Sequence, residues 1–173
     1  MDNPILENIK KRRSIRKYTS QMVSDELIDL VTEAGTYAPT GMNRQSPTIV
    51  VIKDKDTRDL ISKMNASIMG VDKDPYYGAP VVTLVLADPT SHTYIEDGSC
   101  VLENMMLAAT SLGLASVWVH REKEMFASNE GKELLKKWGL STSLVGVGSI
   151  ALGYRDGEIP PLHKRKDNYV IKI

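Results

Sequence analysis

Lys10-Lys11-Arg12-Arg13-Ser14-Ile15-Arg16-Lys17 packs six cationic side chains into eight positions. Arginine presents forked donors and serine a hydroxyl, and both bind phosphate oxygens. In an extended stretch, alternate side chains fall on one side, so Arg12, Ser14 and Arg16 can share one anion. A solvated helix end and a nucleic-acid patch are the competing readings. The second lacks support, because no other part of the chain is both basic and rich in aromatics. His163-Lys164-Arg165-Lys166 is a second basic cluster, far along the chain. It can complete a phosphate clamp or be a solvated tail.

Ala38-Pro39-Thr40-Gly41-Met42-Asn43-Arg44-Gln45-Ser46-Pro47 is a proline-bounded loop rich in amides. Asn and Gln each carry a donor and an acceptor, as the edge of a flat heterocycle requires. A turn whose polar groups satisfy one another is the plainer alternative. Other signals carry less. Gly146-Val147-Gly148-Ser149-Ile150-Ala151 fits a dinucleotide fingerprint on paper, but it leads into a turn and prolines, so it reads as a buried strand. His92, His120, His163 and Cys100 have no metal-ligand spacing, no metal is expected, and no nucleophile elbow is present. Asn65-Ala66-Ser67 reads as a chance glycosylation sequon.

The elements that must position these residues follow from apolar periodicity. Pro4 opens a helix toward Arg12, and Ser24 caps a second helix with Leu27, Ile28, Val31 and Ala34 on one face. Thr48 to Lys53 is a strand. Asp56 to Met69 is a helix with Leu60, Ile61, Met64 and Ile68 inward. Val81 to Ala87 is a near-continuous apolar run, a strand covered on both faces. Tyr94 to Leu112 is the longest helix, with Gly113 as C-cap. Ala115 to Val119 is a strand, Glu130 to Trp138 a helix, Leu144 to Leu152 a strand, and Tyr169 to Ile173 a final strand. Alternation of this kind gives a sheet with helices on both faces. The two leading helices precede any strand, so they cover a later sheet or a partner subunit. The last strand either returns to its own sheet or pairs at the edge of a second subunit.

The length of 173 residues fits one domain spanning 1–173. Lys plus Arg and Asp plus Glu each number 22, so no whole-protein field calls for nucleic acid or membrane. The single cysteine allows no intrachain disulfide, and no stretch near the start has signal-peptide character. The expected setting is the cytoplasm.

Taken in order, these segments resemble the nitroreductase family of flavoproteins. The likeness includes Arg12-Arg13-Ser14-Ile15-Arg16, the Ala38 to Gln45 loop, Tyr77-Gly78-Ala79-Pro80, and Glu103 to Ala109. It continues through Gly113 to Val119, Ala151-Leu152-Gly153-Tyr154 and His163-Lys164-Arg165. The resemblance implies an α+β three-layer αβα sandwich with a mixed, mostly antiparallel sheet and a C-terminal strand exchanged between subunits. It implies a homodimer with FMN at the interface and NADH or NADPH as co-substrate. Hydride would pass through flavin N5 to nitroaromatics, quinones or similar small electron-poor acceptors in a ping-pong cycle. Arg12, Arg13, Ser14 and Arg16 would hold FMN, Arg12 at the phosphate and Arg16 near the pyrimidine side. His163 and Arg165 would close on the phosphate. Pro39, Thr40, Gly41 and Asn43 would come from the other subunit, and Asn65 would meet the pyrimidine edge. Trp118, Val119 and His120 would run along the flavin and offer a backbone N–H near N5. No side chain is assigned as catalytic. Many members carry a lysine shortly after the position of Asn65; here Ala66-Ser67-Ile68-Met69 stands there, and the chain is short for the family. A dehalogenase-like or flavin-processing relative, or a non-catalytic flavin binder, is the alternative.

Overall fold

A computed structural model describes residues 2–173. Asn3 caps α1 (Pro4–Lys11) and Ser24 caps α2 (Asp25–Thr36), each side chain accepting from N–H groups of the first turn. A short turn at Gly41–Asn43 leads into β1 (Pro47–Ile52). α3 (Lys55–Met69) follows, closed by Gly70 in the left-handed region, and then β2 (Val81–Ala87). α4 (Tyr94–Ser111) crosses to β3 (Ala115–Val119); α5 (Glu122–Ala127) and α6 (Asn129–Lys137) precede β4 (Val145–Gly153).

The strands lie in the order β1-β2-β4-β3, every neighbour antiparallel. The one parallel pairing among the described residues is a bridge between Ser14 and Ser116 at the outer edge of β3. β2 is buried at every position and divides two cores. Val81, Val85 and Ala87 pack with α2 and α4, whereas Val82, Leu84 and Leu86 pack with α3, α5 and α6. This is the three-layer αβα arrangement.

Gly146 and Gly148 lie inside β4, at a bulge where the β2 register shifts between Val85 and Leu86. A Cβ at Gly146 would come within 2.3 Å of the Glu122 backbone, and one at Gly148 within 2.6 Å of Trp118 Nε1. These glycines let α5 and an indole approach the strand and bind no dinucleotide loop.

Some expectations need correction. α5 was not anticipated: it is six residues long and starts from Arg121, whose φ of 102° no sequence signal announces. Ile68 does not face inward but is 40% exposed; the last inward position of α3 is Asn65. The C-terminal residues form no strand in their own sheet: Tyr169, Val170 and Ile171 are exposed. α1 buries none of its residues, and Ile5, Leu6 and Ile9 remain open. Among the described residues, no helix is long and apolar enough to cross a membrane.

Candidate functional site: a carboxylate-free basic cavity and a distant polar loop

Residues 12–18 leave α1 in extended form and run beside β3. The Ile15 N–H donates to the Ser116 carbonyl (3.1 Å), the Thr19 N–H to Tyr154 (2.9 Å) and the Asp156 N–H to Lys17 (3.0 Å). Ile15 turns into the protein, so Arg12, Ser14 and Arg16 turn the other way. They line a cavity of about 290 Å³ with Arg13, Pro160, Pro161, Leu162, His163 and Arg165. The two basic clusters of the sequence therefore meet. No carboxylate lines the cavity, and among the described residues Arg12, Arg16 and Arg165 form no ion pair. Such a concentration of positive charge is a place for a phosphate.

Arg13 lines this cavity too, and its Nη1 and Nε donate to backbone carbonyls. Its Nη1 donates to the carbonyls of Lys10 (2.7 Å), Lys11 (3.1 Å) and Arg12 (2.8 Å), and its Nε to Pro160 (3.2 Å). It caps the C-terminal end of α1 and ties the tail to it. These bonds also hold the stretch that carries His163 and Arg165 against the segment that carries Arg12.

Arg16 lies over the Tyr77 ring, 6.0 Å from its centroid. Tyr77 is 40% exposed with φ 57°, an unusual conformation for an aromatic residue. Asp74 holds that turn, accepting from Arg58, Ser62 Oγ (2.6 Å), Tyr76 N–H (2.9 Å) and Gly78 N–H (2.7 Å). Beneath Arg16, Tyr18 donates to the carbonyls of Ile15 or Ala151, at 2.7 and 3.1 Å. Burial, with Tyr77 adding and Arg16 opposing, raises the Tyr18 phenol above its ordinary pKa.

The polar loop is held by Asp97 in the first turn of α4. Its carboxylate accepts from the Gly41 N–H (2.9 Å) and Ser46 Oγ (3.1 Å). Burial pushes the Asp97 pKa up, but hydrogen bonds led by the Gly41 N–H outweigh it and hold the carboxyl below its usual range. Gly41 is required here, since a Cβ would lie 2.1 Å from Thr93 Oγ1. Thr40 Oγ1 accepts from the Gln45 N–H (3.1 Å), and Asn43 Oδ1 from Gln45 Nε2 (3.3 Å). Met42, Asn43 and Gln45 have φ near 50°. Thr40 and Gln45 border a groove of about 570 Å³ between α2 and the outer edge of β1. Pro39 precedes this loop.

The loop and the basic cavity lie at opposite ends of α4. Asp97 is in its first turn, while Lys11, Arg13 and Ile15 share a cavity with Thr110 and Gly113 at its end. Asp97 and Thr110 are thirteen positions apart on the helix, about 20 Å along the axis. Within one chain, Pro39, Thr40, Gly41 and Asn43 do not join Arg12 and Arg16.

The exit of β3 is the third component. Trp118 packs over Gly148 and Val119 is buried, so this stretch offers mainly backbone, whereas His120 is exposed. Asn65 does not reach a surface edge: it is fully buried, and its Nδ2 donates to the His120 carbonyl (2.9 Å). This bond tethers the β3 exit, while the Asn65 Oδ1 has no partner among the described residues. Glu122, also fully buried, accepts from Ser149 Oγ and from Tyr76 Oη (3.2 Å). Burial drives its pKa up to about 7, against the hydrogen bond from Ser149 and weaker ones. Sequence reasoning missed Glu122; its one signal was a position three residues before Met125 on a helical face.

The layered fold, the antiparallel sheet and the basic cavity beside β3 describe an α+β protein with a carboxylate-free basic cavity at a sheet edge. A Nitroreductase family model matches residues 9–83. An Archaeoglobus fulgidus protein named for NADH dehydrogenase or NAD(P)H nitroreductase activity is 34% identical, over 88% of this chain and 86% of its own length. A crystallised nitroreductase with bound FMN from Bacteroides fragilis superposes with a TM-score of 0.91 at 27% identity, covering 99% of this chain and 100% of its own. One from Desulfitobacterium hafniense, also with bound FMN, gives 0.88 at 29% identity and covers both chains completely. The chain belongs to the nitroreductase family.

Proposed function

We infer that this chain is an FMN-dependent NAD(P)H oxidoreductase that reduces small electron-poor acceptors such as nitroaromatics and quinones. The observation that carries the reading is the cavity lined by Arg12, Ser14, Arg16, His163 and Arg165 without a carboxylate. Its donor set suits a phosphomonoester dianion, and it lies beside the sheet edge in a family whose crystallised members hold FMN.

Bound FMN would supply the ring that accepts and returns a hydride. The protein's own part is binding and electrostatics. Arg12, Arg165 and His163 hold the phosphate, with Ser14 donating a hydroxyl. Arg16, steadied by Tyr77, presents a cation to the pyrimidine side. The backbone of Trp118, Val119 and His120 borders the reactive edge, tethered by Asn65.

The site is completed by a second copy. About 20 Å of α4 separates the polar loop from the basic cavity, so Pro39, Thr40, Gly41 and Asn43 act on the partner's cofactor. Open apolar residues on α1 and the tail, including Ile5, Ile9, Leu162 and Ile171, support a homodimer. The free edge of β1, bordered by the groove under α2, suits a tail strand from the other protomer.

Purified protein is expected to bind FMN, to bleach anaerobically with NADH or NADPH, and to regain colour when a quinone or nitroaromatic is added. Protein that takes up no FMN sinks this reading. Flavin bound but reduced by neither nicotinamide leaves a binder and no reductase.

A further inference from the structure

Glu122 is a carboxyl with 0% exposure and, among the described residues, no ion pair. Its Oε1 is bonded, but its Oε2 has no partner among the described residues, nor has the neighbouring network's Asn65 Oδ1. Buried polar atoms are normally paired, so an orphaned carboxyl oxygen demands a reason. A neutral amide of the same shape would fill the site without burying a charge, and a hydrophobic side chain would remove the orphaned carboxyl oxygen.

The surroundings point to the reason. Tyr76, from the connection before β2, and Ser149, from β4, donate to the carboxyl. Gly146 of β4 meets the Glu122 backbone closely. Asn65 of α3 holds the carbonyl of His120, two residues upstream. Between them Arg121 sits at φ 102°, a strained conformation for a side-chain-bearing residue. Tyr76 is the titratable group in contact with Glu122. Glu124 on the same helix is the charged group whose field reaches it, and it is itself paired with Arg121 at 3.0 Å. The cluster therefore clamps both sides of one strained turn at the exit of β3.

Resting on the flavin reading of that exit, we propose that Glu122 is a positioning residue for the redox centre, fixing the His120–Arg121 turn and exchanging a proton with solvent as negative charge arrives and leaves beside it. A hydride brings two electrons and one proton, one negative charge net. A solvent proton taken by the Glu122 carboxylate offsets that charge, and the same proton departs when the acceptor removes the hydride. The Tyr76 and Ser149 hydroxyls, each donor and acceptor, stay bonded to the carboxyl in either state. Burial places the carboxyl near neutrality, where such an exchange operates.

The test is a redox titration of the FMN-loaded protein from about pH 5 to about pH 9. His120→Gln is compared with His120→Gln/Glu122→Gln, so that the neighbouring imidazole adds nothing to the signal. Subtracting the two curves cancels the flavin's own ionisation. The potentials are expected to run parallel below neutrality. Above it the Glu122-containing protein should fall away by up to about 30 mV per pH unit, since one extra proton per two electrons gives that slope. A difference curve that is flat throughout overturns the coupling.

A second measurement is made on the same proteins with or without flavin. The backbone amide resonances of Arg121 and Glu122 should move near neutral pH in His120→Gln and stay still once Glu122 is Gln. Immobile amides in His120→Gln overturn the proposal even if the double variant does not fold. Wild-type protein that takes up no FMN would defeat the flavin reading, while the amide titration still decides whether Glu122 governs the turn.

Discussion

Two charged regions of this molecule treat their charges in opposite ways. In the basic cavity, Arg12, Arg16 and Arg165 meet no carboxylate, and backbone bonds to β3 and the tail hold the segment in place. In the polar loop, one buried carboxylate, Asp97, has its oxygens taken by Gly41 and Ser46. Charge already satisfied inside the fold builds architecture; charge left open at the surface waits for a ligand. Glu122 fits neither description, being buried yet incompletely satisfied.

This contrast is breakable. Asp97→Ala should have the largest effect, because it removes two charge-assisted bonds and leaves the Gly41 N–H without its acceptor. A loss on the order of 3 kcal/mol is expected in denaturant unfolding. An unchanged midpoint would mean that the loop is held by other means.

Glu122 should show itself in the pH dependence of stability. Its folded pKa is raised from 4.5 to about 7, so the folded state keeps a proton that the unfolded chain has released. Its contribution is therefore intact below about pH 4.5 and erodes as pH rises through about 7, by on the order of 3 kcal/mol. Glu122→Gln should flatten that decline in thermal melts; an identical decline in the variant refutes the assignment.

Arg12→Ala should leave stability nearly untouched and weaken FMN binding by about 2 kcal/mol, read by flavin fluorescence. Full affinity would place the phosphate elsewhere. The smallest effect belongs to Tyr77→Ala, which frees Arg16 at a cost of about 0.5–1 kcal/mol in FMN affinity, with Tyr77→Phe close to wild type. Equal losses in both variants would remove the ring from the argument.

Much of this was legible in the sequence, for local reasons. Caps at Ser24 and Gly113 and the unbroken apolar run of β2 carry their own signals. Residues 12–16 and 163–165, two basic clusters far apart in sequence, do line one cavity. What stayed hidden depends on tertiary partners. Asn65 is fully buried, and the His120 carbonyl that takes its Nδ2 lies 55 residues away, a partner no local spacing reveals. Arg13 looked like one more cation, but three carbonyls at the end of α1 claim it. Glu122 sits among Arg121, Lys123 and Glu124, and only its spacing to Met125 marks it as interior.

The Arg13 guanidinium joins positions 147 residues apart in sequence. The basic cavity is thus a seam closed between residues 12–16 and residues 160–165. A nick in the exposed stretch around Glu158 would leave the sheet and both cores intact while the seam gapes. Limited proteolysis should then strip flavin long before it unfolds the protein, and bound phosphate ligand should slow the cut.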